Sequence, residues 1–543
     1  MKIAIAQLNY HIGNFESNQN KMIEAISTAK NQGADLVVFA ELAISGYPPR
    51  DFLEFDDFIE RCWKATEEVA KACIDIAAVV GLPTKNSNST GKRLFNSAAF
   101  LIEGKIQDVL HKSLLPTYDI FDEYRYFEPN TDFHCVDYKG KRLAITVCED
   151  IWNLGVEDLY RIKPMDELMK ENPEVIINIA ASPFHYEQAE RRKRIMKANV
   201  DKYRLPLFYA NHVGAQTELL FDGGSLAFDN QGKMVGELNY FEEDLQVFDI
   251  DHLPKEIKQK EKPKKIALIH DALVMGVKNY FQKLGFKKAV LGLSGGIDSA
   301  VVMALASEAL GAENVHAILL PSQFSSDHSI KDAEGLAKNL GSPYEIIPIQ
   351  SIFESFEKEL KPHFKNLPFN IAEENIQARA RGVLLMALSN KFGYILLNTS
   401  NKSESAVGYG TLYGDMNGGL SVLGDVYKVD VFELARYINR KEEIIPWNTI
   451  NKPPSAELRP DQKDSDSLPD YEILDAILFQ YIENRKGPKE IIALGFDEAL
   501  VNRVLKLVNT NEYKRYQTPP ILRVSTKAFG MGRRMPIVAK YLS

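Results

Sequence analysis

The chain has 543 residues, enough for more than one domain, and its 45% hydrophobic and 26% charged residues are ordinary for a protein with full cores. A net charge of −9 argues against a nucleic-acid binder, and no apolar run is long enough to cross a membrane. The four cysteines, Cys62, Cys73, Cys135 and Cys148, have no metal-ligand spacing and no CxxC, and MKIAIAQLNY is too short and polar for a signal peptide, so a cytoplasmic protein with reduced thiols is expected.

The first half alternates short strands and helices. KIAIAQ (2–7) reads as a strand, MIEAISTAKNQGA (22–34) as a helix, and DLVVFAE (35–41) as a buried strand stopping at Glu41. A helix carrying Cys62 and Cys73 precedes the strand IAAVVGLP (76–83). LFNSAAFLIEG and KIQDVLHKSLLP form a hairpin around Gly104, LAITVCED is a strand ending near Cys148, and EVIINIAASPF and LPLFYANHVGA are buried strands. SLAFDNQGKMVGEL is a second hairpin. So many strands in mixed order predict a two-sheet sandwich with outer helices over residues 1–253. The lysine-rich, proline-bounded stretch 254–265 reads as a linker. Residues 266–543 open with a helix, then alternate strands (AVLGLS, VHAILLP, YEIIPI, YILLNTS) with helices, which predicts a doubly wound parallel sheet.

Three residues of the first half stand at the ends of apolar strands, where loops carry chemistry: Glu41, Lys112 and Cys148. A thiol attacking a carbonyl needs a base and a nearby positive charge, and these are the residue types for that task. Singly, each has a plainer reading: a strand-end cysteine is more often a small buried hydrophobe, and a loop Glu or Lys is usually solvated.

In the second half, LGLSGGIDSA (291–300) runs from a strand through Ser294-Gly295-Gly296 into a helix start. Bare N–H groups, the helix dipole and close backbone approach suit a phosphate there. The lysine of a P-loop is absent and Asp298 stands in its place, which makes sense beside a pyrophosphate as a ligand to Mg²⁺. Glu404 and Asp415, in the loop after YILLNTS, are candidates to complete that site. Lys428 at a helix start opposes the helix dipole unless an anion is close. Asn375 and Arg379 share one face of a long helix that also carries Arg381.

The first-half contexts VVFAELAISGYPP, VLHKSLLPTYDIFDE and ITVCEDIW together resemble the nitrilase superfamily, specifically its glutaminase members, over most of residues 1–250. The resemblance implies a four-layer αββα sandwich. It implies Cys148 as the nucleophile forming a thioester with glutamine, Glu41 as general base, Lys112 supporting the tetrahedral intermediate, and Glu123 as a second acid beside them. Tyr118 and Ser182 are expected to line the glutamine pocket, and Thr117 departs from the asparagine-like residue usual before that tyrosine.

SGGIDSA resembles the loop of the ATP pyrophosphatases. With ENIQARARG, NTSNKSE, Gly414-Asp415, VYKVD, PPSAELRPDQKDSD and the tail KRYQTPPILRVSTKAFGMGRR, the second half resembles the NAD synthetase family from about residue 265 to the end. The resemblance implies ATP held by Ser294, Gly295, Gly296, Asp298, Ser299 and Thr399, and Mg²⁺ held by Asp298 and Glu404. Deamido-NAD and its phosphates are expected at Asn375, Arg379, Arg381, Glu404, Asp415, Lys428 and Lys514, with Arg523 and Arg533 as further phosphate candidates. The implied reaction adenylates the nicotinate carboxylate and displaces AMP with ammonia from glutamine. An internal ammonia passage and a homo-oligomer, at least a dimer through the synthetase domains, belong to the same implication. The rivals are another amidotransferase on the same loop, a nucleotide-binding regulatory protein, and an amidase with a passive tail. The first would lack the Glu41, Lys112 and Cys148 contexts, and the intact acids and motif-rich second half speak against the others.

Overall fold

The computed structural model describes residues 1–88, 90–154, 159–254, 262–365, 367–459, 462, 464–466 and 468–542. Most of the expected linker, and Pro460, Asp461 and Lys463 of the PPSAELRPDQKDSD run, lie outside the described residues. The chain divides into two compact units, Met1–Lys262 and Pro263–Ser543.

The strands of the first unit are β1 (Lys2–Gln7), β2 (Leu36–Val38), β3 (Ala77–Lys85), β4 (Leu94–Ile102), β5 (Lys105–His111), β6 (Val136–Tyr138), β7 (Lys141–Val147), β8 (Val175–Ala180), β9 (Leu207–Asn211), β10 (Val213–Gln216), β11 (Leu219–Asp222), β12 (Leu226–Phe228), β13 (Met234–Glu237) and β14 (Asp244–Asp249). They form two six-stranded sheets, ordered β14-β1-β2-β3-β4-β5 and β13-β12-β9-β8-β7-β6, and a small β10-β11 hairpin. Each large sheet has three parallel strands in its middle and antiparallel strands at its edges. Side chains alternate across a strand, so one face of each sheet meets the other sheet. Ile3, Ile5, Val38, Val79 and Phe100 of one sheet share a core with Ile145, Ile177, Phe208 and Leu226 of the other. Helices Phe15–Asn31 and Asp56–Lys71 cover the first sheet, and Gln188–Tyr203 covers the second, which makes four layers.

One strand is shorter than its composition suggests. β2 stops at Val38, the Phe39 N–H still donates to the Val79 carbonyl of β3 at 2.9 Å, and residues 40–41 leave the ladder. Gly81 on β3 allows this. A Cβ there would lie 2.3 Å from the Leu42 nitrogen and 2.7 Å from the Glu41 carbonyl carbon, so only glycine lets the chain around Glu41 press against the sheet.

The second unit is built on β15 (Ala289–Gly292), β16 (Val315–Leu319), β17 (Tyr344–Ile346), β18 (Ile395–Asn398) and β19 (Leu420–Ser421), in the order β17-β16-β15-β18-β19 and parallel throughout. Only the two-residue β19 goes beyond the sequence expectation. The order reverses between β15 and β18, and in such sheets the crevice beyond the carboxyl ends at that reversal is where ligands bind. No described helix is long and apolar enough to cross a membrane.

Candidate functional site

In the first unit, four side chains from four separate segments meet in the interior. Glu41 follows β2, Lys112 follows β5, Glu123 lies on a single 3-10 turn, and Cys148 follows β7. Glu41 and Lys112 are fully buried, at 0% exposure. The Lys112 ammonium donates to Glu41 Oε1 and to Glu123 Oε2, each at 2.7 Å. Tyr47 donates its hydroxyl to Glu123 Oε1 at 3.0 Å, and the Ala181 N–H donates to Glu41 Oε2 at 2.9 Å. A buried charge is tolerated only when paired and hydrogen-bonded, and here each is. Burial, opposed by Lys112, pushes the Glu123 carboxyl up to about 7. Burial also pushes the Cys148 thiol well above its ordinary range, with Glu41 adding to it and Lys112 opposing. The same burial favours the neutral thiol over the thiolate.

Cys148 has φ +44°, in the left-handed region unusual for a non-glycine residue, at the break between β7 and a short 3-10 turn. The acids after it brace this break. Asp150 accepts the N–H groups of Ser113 and Leu114, at 2.9 and 2.8 Å, and that of Val147 at 3.1 Å. It therefore ties the Cys148 turn to the segment after Lys112. Glu149 accepts the Tyr118 hydroxyl at 2.9 Å and the Tyr160 hydroxyl at 3.3 Å. Ser182 is buried, its N–H on Asn211 Oδ1 and its hydroxyl accepting from Gln188.

In the second unit the loop after β15 reaches the helix Ile297–Leu310 through Gly296 as its cap. Gly295 has φ +80°, and a Cβ there would lie 2.2 Å from the Ser329 carbonyl oxygen, so both the turn and the packing require glycine. Ser294 Oγ accepts the Gly296 N–H at 3.2 Å, and Ser299 Oγ donates to the Gly296 carbonyl at 3.0 Å. Asp298 sits in the first turn. Across the reversal, the loop after β18 enters the helix Lys402–Val407 through a capping box of Asn401 and Glu404. The Asn401 amide donates to Asp298 Oδ1 at 2.9 Å and so joins the two loops.

The Lys428 ammonium, 2% exposed, bonds to Asp298 Oδ2 and stands 3.5 Å from Glu404 Oε1. The Asp298 carboxylate is an anion of the kind the Lys428 position calls for. Burial and the nearby Asp298 push Glu404 up to about 8. Asp464 adds a third acid to this field and is held by the Tyr409 and Tyr471 hydroxyls at 3.2 and 3.0 Å. A cleft opens beside Glu404, lined also by Asn398, Ser400, Tyr409 and, from the tail, Thr518, Ile521 and Phe529.

Residues 2–259 match the family model described as carbon-nitrogen hydrolase, and residues 269–518 the model described as NAD synthase. A glutamine-dependent NAD(+) synthetase from Synechocystis sp. is 45% identical, over 99% of each chain. One from Acinetobacter baylyi is 44% identical, over 99% of this chain and 98% of the other. The chain belongs to the glutamine-dependent NAD(+) synthetase family. The solved glutamine-dependent NAD+ synthetase from Acinetobacter baumannii, in complex with ADP, is 40% identical and superposes with a TM-score of 0.79, covering 99% of this chain and 98% of that one. The protein is accordingly a glutamine-hydrolysing NAD+ synthase, with a nitrilase-type glutaminase domain and an NAD synthetase domain.

In this NAD+ synthase several residues expected at the substrates are engaged by the protein itself. Lys514 donates to the Gly408 and Gly410 carbonyls at 2.7 and 2.9 Å. Arg533 is buried on Glu512 at 2.6 Å, and Arg523 is buried with its guanidinium on the Ser525 and Thr526 carbonyls. Both guanidiniums therefore help fold the tail, because a buried guanidinium needs protein acceptors. Asn375 and Arg379 reach adjacent residues, Thr411 Oγ1 at 2.7 Å and the Leu412 carbonyl at 3.2 Å, in the loop that carries Asp415. Arg381 donates to the Leu320 carbonyl at 2.9 Å and lies within electrostatic reach of Asp415. Thr399 follows β18, in the turn before the helix Lys402–Val407, and is partly exposed. Sequence reading missed Asn96, Glu149 and Asn401. Only Asn401 carried a local signal, the Asn-x-x-Glu of a capping box.

Proposed function

We propose that the enzyme amidates deamido-NAD to NAD through an adenylate, with ammonia released from glutamine at Cys148, giving AMP, pyrophosphate and glutamate. At the first site Glu41 takes the thiol proton as Cys148 sulfur attacks the carboxamide carbon. Lys112, kept charged between two carboxylates, faces the oxygen on which negative charge develops. The tetrahedral species collapses, the C–N bond breaks, and the proton on Glu41 goes to the departing ammonia. Water then cleaves the thioester with Glu41 again as base. Glu149, next to the nucleophile and oriented by Tyr118, offers the negative charge that an amino acid's ammonium group requires.

At the second site the Ser294–Gly296 turn and the helix start receive the phosphates of ATP. The nicotinate carboxylate attacks the α-phosphate, and ammonia later displaces AMP. Asp298 and Glu404 fit Mg²⁺. Both are carboxylates, the donor type a hard divalent cation takes, and they already hold a cation, the Lys428 ammonium, between them. Mg²⁺ bound there would offset charge on the phosphates. Asp415 orients the nicotinate or helps deprotonate ammonium.

The observation that carries the reading is the acid Asp298 after a lysine-free glycine turn, joined through Asn401 to the Glu404 loop at the strand-order reversal. Purified enzyme with ATP, Mg²⁺ and deamido-NAD, given glutamine or ammonium, is expected to form AMP and NAD in equal amounts. AMP without NAD would point to another acceptor, and ADP in place of AMP would reject the adenylate.

A further inference from the structure

Asn96 lies on β4 at 0% exposure, beside the Glu41–Lys112–Glu123 cluster. The β4–β5 ladder pairs Ser97 with His111, and one step further the Asn96 carbonyl accepts the Lys112 N–H at 2.8 Å. The same residue's side-chain amide donates to Glu41 Oε1 at 2.7 Å and reaches Glu123 Oε2 at 3.5 Å. A carboxylate only accepts hydrogen bonds, so the amide nitrogen faces both acids and the amide oxygen points away. That oxygen is buried with no partner. An orphaned buried acceptor costs about 1–3 kcal/mol, which a leucine of similar size would avoid. The fold alone therefore does not ask for an amide here.

Counting lone pairs shows what the amide does. Glu41 Oε1 receives both Lys112 and Asn96, which fills it, whereas Oε2 receives only the Ala181 N–H and keeps one lone pair. We propose that Asn96 is a positioning residue of the glutaminase reaction: it saturates Glu41 Oε1, leaving Oε2 as the oxygen that takes the Cys148 thiol proton, and it holds Glu41 and Glu123 around the Lys112 ammonium. The inference rests on the reading of Cys148 as nucleophile and Glu41 as base. The other groups facing Glu41 are Lys112, Glu123 with Tyr47 behind it, Cys148, and His212, whose Nε2 lies 2.6 Å from the Glu41 carbonyl.

The test is the pH profile of glutamine hydrolysis in full-length Asn96→Leu and Asn96→Asp. For Asn96→Leu, kcat is expected to fall about 10- to 100-fold with KM within about twofold, the share of general-base catalysis that positioning can supply. Its acid limb is expected to rise by about one pH unit, because a donor that favours the ionised acids is gone. Asn96→Asp has the same shape but places a third carboxylate against two others. It is expected to lose more activity at neutral pH and to recover part of it on acidification. Ammonia-dependent synthesis should be unchanged in both. An unaltered kcat, a change in KM alone, or a fall in kcat with the acid limb in place overturns the proposal. If Asn96→Leu also loses ammonia-dependent synthesis it has misfolded, and the isosteric Asn96→Asp decides: a profile parallel to wild type overturns the proposal. Cys148→Ala in the same assay separates the two ideas. Hydrolysis that survives there rejects the underlying reading, whereas hydrolysis lost there but normal in the Asn96 variants rejects only the role of Asn96.

Discussion

The two sites handle buried charge in opposite ways. Around Cys148 the acids and the lysine are sealed, at 0–6% side-chain exposure, and hydrogen-bonded to one another before any substrate arrives. Around Asp298 the acids are 16–18% exposed, and the positive charge between them comes from a lysine on a different helix. On the proposed reading Cys148 forms a bond to carbon, so its base and its cation must be in place at the start, because reorganising charge during the reaction raises the barrier. A site for a polyphosphate receives much of its charge with the ligands, and its acids can wait with an ammonium as counter-ion.

The largest expected effect breaks one site and spares the other. Cys148→Ala should lose glutamine-dependent NAD synthesis by about 10⁴-fold or more, the loss typical of a removed nucleophile, and keep synthesis from ammonium. Equal loss with both nitrogen donors would defeat the two-site account. Next, Asp298→Ala should lower NAD formation about 10²- to 10³-fold with either donor, as removal of an electrostatic contact to a reacting phosphate does, while glutamine hydrolysis continues. AMP production at the wild-type rate in that variant would remove Asp298 from the chemistry.

A third experiment sharpens the contrast between two buried lysines. Lys402, like Lys112, is at 0% exposure, but its ammonium holds the tail: it donates to Ser525 Oγ at 2.7 Å, the Lys527 carbonyl at 2.9 Å and Glu483 at 3.0 Å, and forms an ion pair with Asp425 at 2.9 Å. Lys402→Met leaves two buried carboxylates without their cation and should destabilise the second unit by about 3–5 kcal/mol, read by denaturant melts. Glutamine hydrolysis should persist under native conditions, whereas Lys112→Met should abolish it.

The smallest effect is electrostatic. His270 contacts Asp271 at 2.9 Å and Glu308 at 3.1 Å, and these partners raise it to about 9 against the desolvation that lowers it, while Glu308 is lowered. A histidine raised in the folded state contributes stability that is full below about pH 6.5 and is lost as pH rises through about 9. Both partners are half-exposed, so screening leaves about 1 kcal/mol. His270→Gln should therefore lower stability at pH 6 by that amount and little at pH 10. An equal loss at both pH values would indicate packing in place of charge.

Much of this was legible in the chain. Hydrophobic runs of period two and long amphipathic stretches located the strands and helices of both units, and Ser294-Gly295-Gly296 announced its own turn, because dihedral preference and capping are local. Glu41, Lys112 and Cys148 were visible as polar residues closing apolar strands. What escaped were the partners: Asn96, which looks like one polar residue in an ordinary strand, Asn401, and the use of Arg523 and Arg533 to fold the tail.

The sequence by itself determined the two fold classes, the strand-end positions of Glu41, Lys112 and Cys148 and the character of the glycine loop. The tertiary structure alone decided which charges face one another. Glu41 meets Lys112 across 71 residues, Asp298 meets Asn401 across 103 and Lys428 across 130. No local propensity encodes such pairings. They follow from closing two sheets into a sandwich and from the reversal of strand order in the parallel sheet, which bring distant carboxylates into places too dry to hold them unpaired.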